Sequence, residues 1–447
     1  VIDAGLIRRT KSVCPTCLQE IPADVVERES GIYLMKECPE HGSFSQILSR
    51  RPSDFRTKTN VYFSLMKDSY KQKDFLVRLT ERCNLNCPIC LASPNKQPIP
   101  DYPIPKLEKF ADSKSHRLKI DLMTAEPTMR EDLEDIIRSM RRRGHLVALH
   151  TNGIRIAERD YLKKLVDAGI TEVHLQLDSF DDTDYRVIRG RPLKDIKEKA
   201  LENLEALDVK TSLIMTLLAG VNEDQISAIL EYGMSHKHVK EIFFLGCRVL
   251  GDGKNLADSP YLMPDEVIDI VERQTEGKIT HANVTRFQKI YFALLSIFKV
   301  RKCFYVQHYL AVRKHIGGWE GIEKWVDLIT AEHAVDRYVE GQNRGLLARF
   351  KFLLSLFWSI LKRGGLVLIL ILARLSRLFR FGFDLQKVPD RMVLLGFVTT
   401  CDPYNFDVEV AQNCGKGEIS MDQGEQDSGG LANIYRERMF LKQNLKA

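Results

Sequence analysis

The chain has 447 residues, 44% of them hydrophobic, with 66 Lys and Arg against 60 Asp and Glu. This length and apolar content suit two or three packed domains and exclude a disordered or fibrous chain. The net charge of +6 is concentrated: residues 341 to 383 hold eight basic residues and no acidic one, so a nucleic-acid face is not expected.

Six of the ten cysteines fall in two short-spaced clusters, which points to metal in a reducing compartment rather than to a disulfide scaffold. The chain opens VIDAGLIRRTKSVCP, with neither an initial Met nor an apolar signal-like stretch before Cys14. No secretory address is expected from it, and an upstream segment is left open.

Residues 1–50 read as a small metal ribbon. Cys14 and Cys17 in CPTC, then Cys38 and His41 in KECPEHG, give paired ligands on two tight turns joined by a hairpin, the spacing of a tetrahedral site. Zinc and a rubredoxin-like iron are alternatives there, as is a fourth ligand other than His41. Residues 51–74 are polar and basic and read as a linker with some helical character.

From residue 75 strand and helix patterns alternate. Strand-like runs are Phe75–Thr80, Leu118–Thr124, Leu146–His150, Val173–Asp178, Val209–Leu217 and Glu241–Leu245, with amphipathic helices such as Glu131–Arg143, Arg159–Ala168 and Leu193–Leu207 between them. Six such units over 75–250 predict an α/β core with a parallel sheet and a site at the C-terminal strand ends. Residues 251–340 read as a mainly helical extension and 384–447 as a mixed C-terminal region.

The sharpest motif is TERCNLNCPIC, which puts Cys83, Cys87 and Cys90 on one loop after the first core strand. Three thiolates there hold three irons of a [4Fe-4S] cluster and leave the fourth iron open. A structural zinc loop is the alternative, but this spacing and strand-end position do not suit it.

The arrangement resembles the radical S-adenosylmethionine (SAM) superfamily. The resemblance implies a partial (β/α)6 barrel and an open iron that chelates SAM, with reductive cleavage giving a 5'-deoxyadenosyl radical. It also implies SAM contacts from Glu126 in DLMTAEPTMR, Asn152 in HTNGIR, Gln176 and Asp178 around the fourth strand, and Arg189 in YRVIRGRP. An arginine fork suits the SAM carboxylate. Thr124 and Ala125 stand where the family has two glycines, and Ile89 where it more often has an aromatic residue.

More narrowly, CPTC, KECPEHG, CNLNCPIC, HTNGIR, HLQLDSFDDTDYRVIRGR and LLAGVNEDQ are similar to the tetraether lipid synthase family, whose members are also labelled dihydropterin methyltransferases. This implies a lipid alkyl chain as substrate. A soluble pterin-like heterocycle is the alternative, and a membrane-docked iron-sulfur protein for electron transfer or sensing a third reading. A one-electron reductant protein is an implied partner. Cys247 falls at the expected mouth of the site, where a packed free thiol is its commoner fate, and Cys303, Cys401 and Cys414 are too dispersed to form a local motif.

Residues 346–361 and 366–383 are apolar and studded with Arg and Lys. The longest uninterrupted apolar run, Leu366–Ala373, is too short for the roughly 18 to 20 residues of a membrane span. The segment 341–383 therefore reads as helices lying on an anionic membrane surface, peripheral on the cytoplasmic face, with a buried hairpin or dimer interface as the alternative.

Overall fold

The computed structural model describes residues 5–65, 73–96, 99–256, 262–301, 303–341, 345–363, 388–421, 424–426, 428 and 434. The ribbon is a four-stranded antiparallel sheet in sequential order, β1 (Leu6–Val13), β2 (Glu20–Arg28), β3 (Gly31–Cys38) and β4 (Gly42–Ser49). Its alternation buries Ile21, Ala23, Val25, Ile32 and Leu34 on one face and leaves the two metal-ligand turns at the same end.

The stretch 51–74, read as a linker, carries a packed helix instead. In α1 (Pro52–Leu65), Phe55, Val61, Tyr62 and Leu65 are buried. The Tyr62 ring meets Phe292 and Phe304 at 5.3 and 5.1 Å between centroids. The polar composition had masked a narrow apolar stripe.

The six predicted core strands are all present. They are β5 (Asp74–Arg78), β6 (Lys119–Met123), β7 (Leu146–Thr151), β8 (Glu172–Gln176), β9 (Thr211–Leu217) and β10 (Val239–Gly246). They pair in parallel and in sequence order. Between them run α2 (Ile104–Asp112), α3 (Leu133–Arg142), α4 (Arg159–Ala168), α5 (Asp182–Arg189), α6 (Lys194–Ala206) and α7 (Ile226–Ser235). Right-handed crossovers put these helices on one face of the sheet. That face is apolar throughout: Phe75, Val77, Ile120, Leu122, Val147, Leu149, Val173, Leu175, Leu213, Met215, Ile242 and Phe244 are buried. The sheet is the curved partial barrel of α/β type, and the alternate residues line its concave side.

Beyond the core come α8 (Pro264–Gln274), α9 (His281–Ile297), β11 (Val306–Arg313), β12 (Trp319–Gly321), α10 (Leu328–Glu340), α11 (Leu346–Leu361), β13 (Met392–Thr399), α12 (Val408–Gln412), β14 (Gly417–Ser420) and β15 (Gly424–Gln426). Helices dominate residues 251–340 as expected, but the sheet also grows at both edges. β13 adds in parallel to β10, β11 antiparallel to β13, and β14 in parallel to β5. Residues 364–387, which include the second basic apolar stretch, lie outside the described residues.

Replacing Tyr62 by Ala removes a fully buried ring from α1, and we expect a loss of about 3 to 5 kcal/mol in denaturant unfolding. A change of only a few tenths would mean that α1 is a surface linker after all.

Candidate active site

The cysteine loop leaves β5 at its C-terminal end and is held from three sides. The Cys83 amide donates to Asn95 Oδ1 (3.0 Å), and Asn95 Nδ2 donates back to the Cys83 carbonyl (3.1 Å). The Asp252 amide donates to the Cys90 carbonyl (2.8 Å). Gly251, at φ +55°, lies so close that a Cβ would sit 2.6 Å from the Cys90 and Leu91 carbonyl oxygens. The three thiols share one cluster with Leu85, Tyr185 and Leu193.

Burial first, and then the charges of Glu126, Cys87 and Cys90, push the Cys83 thiol up to about 12. Burial likewise raises Cys90. Gathered thiols, two of which resist ionisation on their own, are suited to a cationic iron cluster, which supplies the missing counter-charge. The Leu85 amide already donates to Cys83 Sγ (3.3 Å).

After β6 the backbone turns through Thr124 at φ +79° and Ala125 at φ +45°. Both side chains sit in the left-handed region that glycine prefers, so the turn keeps a glycine-like path without glycine. The next residue, Glu126, is fully buried. Its Oε1 accepts from the Thr128 amide (3.1 Å), Thr128 Oγ1 (2.7 Å) and Thr151 Oγ1 (2.8 Å), and its Oε2 from the Asn152 amide (2.7 Å). This carboxylate, expected as a SAM contact, ties the two strand-end turns together. Asn152 does face the cysteine loop, donating to Asn84 Oδ1 (2.7 Å) with Cys83 Sγ 3.9 Å away. Gly153, at φ +87°, is required, because a Cβ there would sit 2.7 Å from Leu175 Cδ1.

Asp178 and Arg189, also expected as SAM contacts, lie together: Arg189 Nε and one Nη lie 2.8 and 2.9 Å from the two Asp178 oxygens. Asp178 also accepts from the Thr216 amide (2.9 Å) and from Gln176. Burial opposes the Arg189 charge, but Asp178 holds the guanidinium firmly protonated, with the Cys87 thiol as a further partner. Sequence reasoning passed over Lys197, whose Nζ donates to the Asn152 carbonyl (2.5 Å), the Gln176 carbonyl (2.6 Å) and Gln176 Oε1 (2.8 Å). Only its place on the inner stripe of α6 could have marked it.

Cys247 packs beside Ile89, Ile188 and Leu218, and burial raises its thiol. Cys303 and Cys414, distant in sequence, are hydrogen-bonding neighbours; that bond and then burial raise Cys303.

Beneath this rim the concave face is charged. Lys119 pairs with Glu172. Burial works against its ammonium, but Glu172, Asp121, Glu241 and Asp74 hold it protonated above the usual lysine range. One layer higher, Asp121 is fully buried and paired with Lys416. His150 and His174 stack at 4.2 Å beside it, both kept neutral by burial. Asp121 Oδ1 and His150 Nε2 find no hydrogen-bond partner among the described residues.

In the ribbon, Cys14 Sγ and Cys38 Sγ lie 3.8 and 3.4 Å from His41 Nδ1, and Cys17 Sγ lies 4.0 Å from Cys38 Sγ. These are close to the edges of a tetrahedron around an ion bound at roughly 2.0 to 2.3 Å. The donor set Cys14, Cys17, Cys38 and His41 therefore fits one metal ion.

Residues 77–233 match the family described as the radical SAM superfamily, and residues 6–50 the HMPTM N-terminal zinc ribbon domain. The core is a radical SAM domain. The chain is 33% identical over 303 residues to the 7,8-dihydro-6-hydroxymethylpterin dimethyltransferase of Methanocaldococcus jannaschii, covering 61% of this chain and 60% of that protein. It is 29% identical over 223 residues to a GTP 3',8-cyclase of Staphylococcus aureus, covering 46% and 62%. The chain thus spans somewhat less than two thirds of these relatives. Streptococcus suis SuiB bound to S-adenosylmethionine superposes on 46% of this chain and 47% of its own, with a TM-score of 0.40 and 15% identity.

Two outcomes test this geometry. His41→Ala should lower the metal held by the ribbon, read by elemental analysis, while iron and sulfide in the radical SAM domain are retained. Thr124→Gly with Ala125→Gly should raise unfolding stability by about 1 kcal/mol, because each native side chain occupies a strained region.

Proposed function

We propose that this chain is a radical SAM methyltransferase acting on a small polar heterocycle of the pterin class. The chamber under the cysteine loop carries the reading. Asp121 is enclosed by Lys119, Lys416 and His150, whereas the His150 side chain is 26% exposed, so its imidazole is the part of this layer that a ligand can reach. An alkyl chain against it offers nothing to the ring nitrogens, at about 1 to 3 kcal/mol. A heterocycle with ring N–H and carbonyl groups satisfies them. The dimethyltransferase of Methanocaldococcus jannaschii, similar over 303 residues, supports the same substrate class.

Cys83, Cys87 and Cys90 would hold the [4Fe-4S] cluster, whose chemistry with SAM is to supply a carbon-centred radical when reduced. Glu126 fixes the Thr124–Ala125 turn against the Asn152 turn, and Asn152 and Arg189 line the loop from the opposite side. A one-electron reductant protein belongs to this reading, as does an iron or zinc in the ribbon. The glycine-like path of Thr124 and Ala125 argues against the electron-transfer alternative, in which SAM no longer binds. An alkyl substrate from a lipid is a second reading, favoured by the exposed apolar face of α11.

The decisive assay uses anaerobically reconstituted, reduced protein with SAM and a 7,8-dihydropterin. Methylated pterin together with 5'-deoxyadenosine is the expected result. Modified lipid chains with an untouched pterin would overturn the assignment in favour of the second reading. In the same assay His150→Ala should raise KM for the pterin roughly tenfold, the size of one lost buried hydrogen bond, without changing deoxyadenosine release in the absence of pterin.

A further inference from the structure

We propose that α11 docks this protein onto an anionic membrane surface. The helix has two apolar faces. Phe352, Leu356 and Ile360 are buried against the body of the protein, with Phe352 stacked on Tyr338 at 5.5 Å. On the other side Leu346, Leu347, Phe350, Leu353, Leu354 and Trp358 are 85%, 66%, 63%, 39%, 44% and 55% exposed. At 100° per residue these six cover an arc of about 140°. Six large apolar side chains on one helix make a contiguous patch of the kind that marks a binding face.

Charge selects the occupant. Lys351 and Lys362 flank one edge of the arc, Lys362 also lying 3.7 Å from Asp327, Arg363 follows at the end, and the sequence has no acidic residue from 341 to 383. Arg349 turns toward the buried face, with its Nε enclosed. An apolar strip bordered by a basic rim matches the layering of an anionic bilayer, with acyl chains below and phosphates at the level of the cations. No helix among the described residues is long and apolar enough to cross a membrane, so the helix would lie in the interface rather than span it.

The test is flotation of the full chain with phosphatidylcholine vesicles with and without phosphatidylglycerol, at low and high salt. Trp358 reports directly, since Trp319 is buried and Trp325 half-buried. We expect binding to be about tenfold tighter with phosphatidylglycerol and weakened by salt, with a blue shift of the Trp358 emission. Leu347→Asp combined with Phe350→Asp should abolish both signals. Lys351→Glu combined with Arg363→Glu should remove only the preference for anionic lipid. Unchanged deoxyadenosine formation in each variant shows that the fold is intact. Vesicle binding that survives the double Asp substitution overturns the proposal. So does a concentration-dependent dimer that this substitution dissolves without any vesicle binding by the intact chain, because the face is then a contact between copies.

Discussion

The ammonium of Lys119 sits inside the barrel, and the arrangement of the chamber follows from keeping it paired. A buried lysine is costly unless carboxylates surround it. Here they come from three other strands: Glu172 on β8 pairs with it directly, and Asp74 on β5 and Glu241 on β10 act on it through their charge, as does Asp121 on its own strand. Strands β5 and β10 are the first and last of the six, so this influence requires the sheet to curve. The charged layer fills the floor of the barrel, and Asp121 with the two histidines forms the layer above it. The polarity of the chamber is thus a by-product of the same pairing that bends the sheet.

The ribbon is tied to the catalytic loop by a second set of buried polar contacts. Lys36 on β3 donates to the carbonyls of Pro403 and Tyr404 at 2.5 and 3.0 Å. The neighbouring Asp402 pairs with Arg248 at 2.5 Å, both fully or nearly buried. Arg248 begins the turn whose Gly251 and Asp252 press on Cys90. Severing a buried pair typically costs about 3 to 5 kcal/mol, so the ribbon is mechanically coupled to the loop that carries the three cysteines. That coupling gives the ribbon a structural role whichever metal it holds, without requiring it to pass electrons.

Two surfaces of opposite character therefore coexist. The chamber is lined by charges and neutral imidazoles, whereas α11 offers leucines and a tryptophan to the outside.

The sequence by itself determined the metal-ligand turns, the three-cysteine loop, all six core strands and three of the helices between them, because each is encoded within a few residues by spacing or periodicity. It held a further signal that went unread. KIDLM and EVHLQ place Lys119, Asp121, Glu172 and His174 at alternate positions of strands that should be apolar on both faces if flat, which already betrays a polar interior. Tertiary structure alone decided the rest. That Asp178 pairs with Arg189, that Glu126 joins the Thr128 and Asn152 turns, and that β11, β13 and β14 extend the sheet all depend on pairings between distant segments. The reason is physical: a side chain's type limits what it can bond to, but which partner it meets is fixed only when distant strands are brought into register.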